Sequence, residues 1–592
     1  MNNIQIVFPF RLSNSSKVHN VSILKLATTS IILCLLLSFT TSIWNSPSLT
    51  HFSIPSAKAA SSLIRRINIP YFTTDVPFNQ TAIFWFGYVD GSNNYIDIRM
   101  GYNNSEVYID LHVIDQYVWY DTNAQAPDLT NFDTATIDLH TAGYGSNAPD
   151  SSSYKFVAQV DHTQSRTNYQ RAYRGNGSSW NVASLPFTTV SGWRGHGLNG
   201  LPDSGWTMTY HLPFAAFGFS GPPSQGTVWQ LGIKVHNQDD AQKTPLPEKW
   251  WPESFNDLIP SSWGELAFGL PTYHPPQITN KTNYMVRNKL NNQVVTDGMV
   301  GGALGCGNQG LNRWPQLGGQ SYPAAKQVTV ENEWDISDWN CFSKWYITFP
   351  LSSLPKGKGV SAAAVTLYLY SNAGIPGKPN PSLIQVATVN EDWNPQTLAW
   401  NNAPLVKENI SRIVVNTRSG NLVWPGVPYT WDVSKAVADA YASGQPLRLV
   451  FYSTDSGYST GKYFSSSYTD DWNATARPTL QATLGNIVPT SKSTTTTNAS
   501  KVKTLSTETI LSHSVQSGGS SSHTPPRNNG FNQPAIIMPA TLAAILVGLI
   551  AGNIFFLRKR RRKEALDMAI ESATTEAIQA VEDSASIESV SN

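Results

Sequence analysis

Charged residues are scarce in this chain: Asp, Glu, Lys and Arg make up 14% of its 592 residues, and the formal net charge is +1. A near-neutral chain sets up no global field, so composition gives no reason to expect recruitment to nucleic acid. Cysteine is scarcer still, with three residues, too few for a cysteine-based metal or redox centre. Cys34 lies in an N-terminal apolar run, which leaves Cys306 and Cys341 as the pair available for one disulfide in an oxidising exterior. No acidic residue precedes Asp75, and no HExxH phrase occurs. Scattered Asp and Glu do not by themselves locate a catalytic carboxylate pair, so the expectation leans away from an enzyme without excluding one.

An apolar run lies near each end of the chain. Pro534–Leu557 runs for 24 residues without a charge and is followed by six consecutive cations, Arg558 to Lys563. At about 1.5 Å per residue, a helix of that length exceeds the roughly 30 Å of a bilayer's hydrocarbon core. Flanking cations stay on the cytoplasmic side. The reading is one C-terminal transmembrane helix at 534–557, a cytoplasmic tail at 558–592 and an extracellular N-terminal region at the cell membrane. Residues 1–60 carry Arg11, Lys17, Lys25 and the apolar run Leu26–Phe39, the pattern of an export signal, either cleaved or kept as an anchor. Residues 487–533, with four consecutive threonines at 494–497, read as a disordered stalk. Asn79, Asn103, Asn176, Asn280, Asn409, Asn473 and Asn498 head Asn-x-Ser/Thr sequons and are candidate glycosylation sites.

Between the ends, aromatic residues reach 11% and short alternating runs dominate. In residues 65–275, Ile96, Ile98 and Met100 alternate with polar residues, as do Val107, Ile109, Leu111 and Val113, around the turn-forming Asn103-Asn104. That is a hairpin with one buried face. Further runs at 134–139, 154–160, 206–212 and 228–235 complete an all-β sandwich. In residues 285–485 the runs at 327–331, 345–349, 365–370, 383–388, 413–415 and 447–452 predict a second antiparallel sandwich in tandem with the first.

Binding residues are sought in the long irregular segment between Val235 and Trp263. Adjacent Trp250 and Trp251 in a Pro-rich loop are hard to bury together, and an exposed indole stacks on the apolar face of a pyranose while Glu253 bonds its hydroxyls. Trp119 and Trp193 are candidate companions. Asp115, Asp239 and Asp240 are hard oxygen donors at strand ends that suit a structural Ca²⁺. In the second domain, Trp393, Trp400 and Trp431 stand beside strands and are expected in the core.

The hairpin, Asp115, the stretch Asp133–Leu139, the stretch Gly205–Phe214 and the closing Trp263-Gly264-Glu265-Leu266 together resemble family 9 carbohydrate-binding modules and their DOMON-like relatives. Phe349–Pro355 leading into Val360–Tyr370, then Trp393–Pro404, Trp431–Ser434 and Arg477–Leu480, resemble the DNRLRE domain, which is disaggregatase-related and similar to family 96 carbohydrate-binding modules. The resemblances imply two jelly-roll-like sandwiches that bind carbohydrate; with the stalk and the membrane segment the expectation is a cell-surface protein that binds a polysaccharide or an envelope glycan without catalysis. A polysaccharide-degrading enzyme and a structural envelope or adhesion protein are the alternatives.

Overall fold

The structure, a computed structural model, describes residues 64–489 apart from 123–128, 145, 162–165, 302–317, 334, 374–377 and 419–423. The export signal, most of the expected stalk, the 534–557 segment and the tail lie outside the described residues. Among the described residues no helix is long and apolar enough to cross a membrane.

The protein is all-β. The first domain holds β1 (Arg66–Ile69), β2 (Ala82–Asp90), β3 (Asn93–Tyr102), β4 (Glu106–Ile114), β5 (Thr134–His140), β6 (Ser153–Gln159) and β7 (Gln170–Gly175). It continues with β8 (Trp180–Ala183), β9 (Thr188–Gly195), β10 (Asp203–Pro213), β11 (Val228–His236), β12 (Lys249–Trp251) and β13 (Gly264–Phe268). The second holds β14 (Ile278–Arg287), β15 (Thr296–Gly301), β16 (Gln327–Val330), β17 (Ser343–Phe349), β18 (Gly359–Asn372) and β19 (Ser382–Thr388). After these come β20 (Glu408–Val415), β21 (Val427–Asp432), the helix α1 (Ser434–Ser443), β22 (Leu447–Ser453), β23 (Lys462–Ser465) and β24 (Thr479–Ile487). Every predicted run is a strand. The second set begins at Ile278, ahead of residue 285.

Three open sheets result. Strands β2-β3-β4-β10-β9 form one, and β14-β24-β18-β23-β16, with β21 on β18, form another. The third runs β15-β17-β22-β19-β20-β1-β13-β11-β5-β6-β7-β8, with β12 on β11, and so passes through both domains. Its joint is β1, which pairs in parallel with β13 over four residues and with β20 at Arg66 and Glu408. The two sets of strands are therefore joined through one sheet.

Alternation explains the cores. Ile98, Met100, Leu111 and Met208 turn inward from the five-stranded sheet and are fully buried. Their outward neighbours Asp97, Arg99, Asp110 and His112 are also buried, because the second domain packs on that outer face. The first hydrophobic cluster accordingly takes in Tyr346, Trp400, Val450 and Tyr452 from the second domain. Trp345, Ile347, Trp431 and Phe451 build the second domain's own core, and Trp400 and Trp431 are buried as expected.

Side-chain amides hold the two domains in register. Gln385 accepts from the Ile83 N–H at 3.2 Å and donates to its carbonyl at 2.7 Å. Asn401 does the same to Val89 at 2.7 and 2.9 Å, and Asn409 to Asn68 at 2.7 and 2.9 Å. Each amide supplies the donor and acceptor that a further strand would offer, so backbone groups at these strands are satisfied without one. Arg65, buried, adds a charged clamp: it donates to Glu253 of the first domain, at 2.7 Å to Glu391 of the second and at 2.9 Å to the Val406 carbonyl.

The centre of the junction is Lys344. Its ammonium, fully buried, lies 3.5 Å from the ring centre of Trp400, 4.3 Å from Trp85, 4.5 Å from Tyr95 and 4.9 Å from Tyr452. It also donates to the Tyr95 hydroxyl. Burial drives the Lys344 pKa well below the usual lysine range, against the pull of Asp97. Asp97 in turn accepts from Tyr95 at 2.9 Å, Tyr452 at 2.7 Å and Asn332 at 3.1 Å.

Candidate binding surfaces

The structure separates the tryptophans that adjacency in sequence had put together. They form the short strand β12, in which neighbours face opposite sides. Trp250 pairs with Lys234 on the outer face and is 42% exposed, whereas Trp251 pairs with Ile233 and is fully buried. Trp251 sits 4.8 Å from the Phe84 ring, and a Cβ on Gly264 would meet its indole at 2.6 Å. The expectation of a sugar platform at Trp251 is corrected by that burial: its faces are covered by protein. Glu253 is likewise engaged. Burial alone would raise its pKa, but its bonds to the Arg65 guanidinium hold it below the usual carboxylate range.

Trp193, on the edge strand β9, stands opposite Trp206 and packs half-buried on the core. Trp119 is half-buried against Gly200. Trp250 belongs to the long sheet and Trp193 to the five-stranded one, so the residues singled out do not make one platform. A cluster not singled out lies on the outer face of β5 and β6. Lys155 reaches Asp257 at 2.5 Å and lies 4.5 Å over the Trp180 ring, which is stacked parallel to Trp263 with 6.4 Å between centres. Asp138 is buried beside them, and burial pushes its carboxyl well up despite Lys155.

The expected Ca²⁺ ligands do not assemble as a set. Asp115 accepts from Tyr117 N–H at 3.2 Å, Asn94 at 3.1 Å and the Trp206 indole at 3.2 Å. Asp240 points to its own turn, accepting from Thr244 N–H at 3.1 Å. Asp239 is nearer to Asp115 electrostatically, and burial pushes its pKa up to about 6. Among the described residues no group of three or more His, Cys, Asp or Glu is placed to hold a metal ion.

Asn409 is corrected as a glycosylation site, since its amide is buried and spent on Asn68. Asn103 and Asn473 are also buried, whereas Asn79, Asn176 and Asn280 are exposed and Asn498 lies outside the described residues. Cys306 lies outside them too, so its pairing with the buried Cys341 stays an expectation. The stretch Gly457–Gly461 reads GxSxG, with Ser459 at φ 64. It joins strands β22 and β23 and lacks the strand–turn–helix setting of a nucleophile elbow.

A further open surface is the outer face of the second domain's six-stranded sheet. Along β18 the outward row is Ala362, Ala364, Thr366, Tyr368 and Tyr370, none of them buried, a run of roughly 26 Å at ~3.3 Å per residue. Its first half floors a cavity of about 600 Å³ walled by Asn283 and Met285 on one side and Thr430 and Asp432 on the other, with Gln481 and Thr483 between. Small floor residues make the concavity, and the walls offer amide, hydroxyl and carboxylate groups. At its far end Tyr370 stacks on Trp424 with 6.5 Å between centres and 21° between planes, and Trp424 meets Trp472 edge-on at 5.1 Å. Trp424 is 41% exposed and Trp472 69%. Trp472 is held there by its neighbours: Asp471 accepts from Lys289 at 3.0 Å and from Arg477, and Asp470 from Lys326 at 2.8 Å. Tyr370 ends the alternating run at 365–370, whereas neither Trp424 nor Trp472 lay in a run that alternation could flag.

Among solved structures the chain is similar to a family 9 carbohydrate-binding module from Caldicellulosiruptor kristjanssonii in complex with glucose, at 13% identity over 36% of this chain and 99% of that one, with a TM-score of 0.25. A complex of a family 9 module from the same organism with cellotriose gives 13% identity over 35% and 94%, with a TM-score of 0.26. No curated protein matches the chain. Residues 317–477, which contain Tyr370, Trp424 and Trp472, match the model of carbohydrate-binding module family 96.

Proposed function

We propose that this is a surface-anchored carbohydrate-binding protein without catalysis of its own, and that the outer face of the second domain receives a polysaccharide or envelope glycan chain. The observation that carries the reading is the exposed Tyr370–Trp424–Trp472 cluster at the end of the Ala/Thr-floored groove, inside the span that matches a carbohydrate-binding family. Indole faces cover the apolar CH faces of pyranose rings, and the groove's amides and hydroxyls exchange hydrogen bonds with their hydroxyls. An open row of this length suits the interior of a chain. The apolar 534–557 segment and the Ser/Thr-rich stretch before it support display on a stalk above a membrane.

The test is affinity electrophoresis of the whole protein through gels containing soluble polysaccharides, with Trp424→Ala/Trp472→Ala alongside and reducing-end release measured in the same samples. The expected result is retardation by at least one polysaccharide, weakened about tenfold or more in the variant, a loss of about 1.4 kcal/mol or more, with no new ends. New reducing ends would move the protein to the polysaccharide-degrading class. Absence of retardation across the panel would favour a structural envelope role. Membrane fractionation of the full chain, with and without residues 534–557, tests the anchor.

A further inference from the structure

The second domain covers the outer face of the five-stranded sheet incompletely, and a cleft of about 320 Å³ remains where the domains meet. Its floor is Asp110, His112, Thr207 and Thr209, with Phe78 and Tyr108 as apolar walls. Ile336 and Ser456 close it from the second domain, so the cleft exists only in the docked pair. Asp110 and His112 are buried; apart from the His112 ring, Asp110 Oδ2 has no donor facing it, and His112 Nδ1 has no hydrogen-bond partner. His112 Nε2 lies 2.8 Å from that same Oδ2, which in the neutral ring places the proton on Nε2 and leaves Nδ1 an acceptor. Thr209 donates to Asp110 Oδ1 at 2.6 Å, so its oxygen too is turned toward accepting.

From this we infer a second saccharide subsite, built jointly by the two domains, that takes one neutral sugar unit at a chain end. The inference rests on the carbohydrate-binding reading and adds a place and a chemistry to it. A site whose unmet groups are acceptors requires a ligand rich in hydroxyl donors, and an anionic sugar would meet the Asp110 carboxylate. The Arg194 guanidinium at the rim is matched by Asp335 at 3.1 Å, and the buried Arg99, which stands opposite Asp110 and lies over the Phe78 ring with two of its nitrogens unbonded, does not line the cleft. The volume is at the small end of the roughly 300–1,000 Å³ typical of ligand sites. One ring seated on Phe78 and Tyr108 fits; the interior of a chain does not.

The experiment is saturation-transfer NMR and titration calorimetry on the whole protein with the methyl glycosides of glucose, galactose and mannose, and with methyl glucuronide as the anionic counterpart. At least one neutral glycoside is expected to bind, about tenfold or more tighter than the glucuronide. Ser456→Trp, which fills the cleft from an exposed position, is expected to abolish that binding. Thr207→Val, similar in shape, is expected to weaken it severalfold, with the unfolding midpoint of both variants unchanged. No neutral glycoside bound, preference for the glucuronide, or binding indifferent to both substitutions would overturn the subsite. Polysaccharide retardation and its dependence on Trp424 and Trp472 report separately on the groove, so failure of the cleft and failure of the broader reading are distinguishable.

Discussion

The ammonium of Lys344 lies 4.3 Å from the ring centre of Trp85, which places a lysine of the second domain inside an aromatic enclosure completed by the first. Four rings around one cation offset part of the cost of taking it out of water, each contact contributing about 0.5–2 kcal/mol. Lys344→Ala empties the enclosure and is expected to cost about 2–5 kcal/mol. Lys344→Met refills the volume and removes the buried charge, so it is expected to cost less than half as much. Denaturant unfolding of the two variants checks the order; equal losses would mean that the cation itself holds the domains together.

How much of this was legible in the sequence depends on the range of the interaction. Ile96, Ile98 and Met100 declare a buried face within one strand, and the structure places them there. Asp97 and Arg99 declare the opposite face with equal clarity, but alternation cannot tell water from a second domain, and both are buried. Gln385 grips Ile83 across 302 residues, a pairing with no local signature. The irregular stretch around Trp250 hid a three-residue strand because a run that short shows no periodicity. Trp424 and Trp472 were silent for the opposite reason: they are exposed and lie outside regular strands, where no pattern distinguishes a binding ring from a loop ring.

Asn409 illustrates how a sequon is overruled by packing. Its amide bonds both backbone groups of Asn68, and a glycan on that nitrogen would separate β1 from β20. On expression in a host with the glycosylation machinery, peptide mapping by mass spectrometry is expected to find Asn409 bare. Asn409→Asp should cost about 1–3 kcal/mol, because a carboxylate cannot donate to the Asn68 carbonyl. A glycopeptide at Asn409 from folded protein would contradict the fused sheet.

Asp297 gives the fold a pH dependence of definite sign. It accepts from the Ser467 N–H at 2.7 Å in full burial, which pushes its pKa up to about 7. An unfolded aspartate titrates near 4. Between those values the folded state keeps a proton that the unfolded state releases, so this contribution is complete below about pH 4 and is lost as pH rises through about 7. Asp297→Asn keeps an acceptor for Ser467 without the charge. It is expected to be the more stable protein near pH 9, by on the order of a few kcal/mol, and to lose that advantage near pH 5. Thermal unfolding of both proteins at the two pH values decides; an advantage of the same size at both would assign it to packing instead.

Trp250 and Trp251 should respond in opposite ways to the same substitution. Trp251 fills space between Phe84 and Gly264, so Trp251→Ala leaves a cavity and is expected to cost about 3–5 kcal/mol. Trp250 is 42% exposed on the outer face, with its indole N–H donated to the Glu253 carbonyl at 3.3 Å. Trp250→Ala is expected to change stability by no more than about 1 kcal/mol. A polysaccharide that binds through the first domain would lose affinity in Trp250→Ala at unchanged unfolding midpoint, whereas one held by the second domain's groove would not. Measuring unfolding and retardation on both variants therefore separates a packing tryptophan from a contact tryptophan, and a stable Trp251→Ala protein would show that β12 does not seal the core.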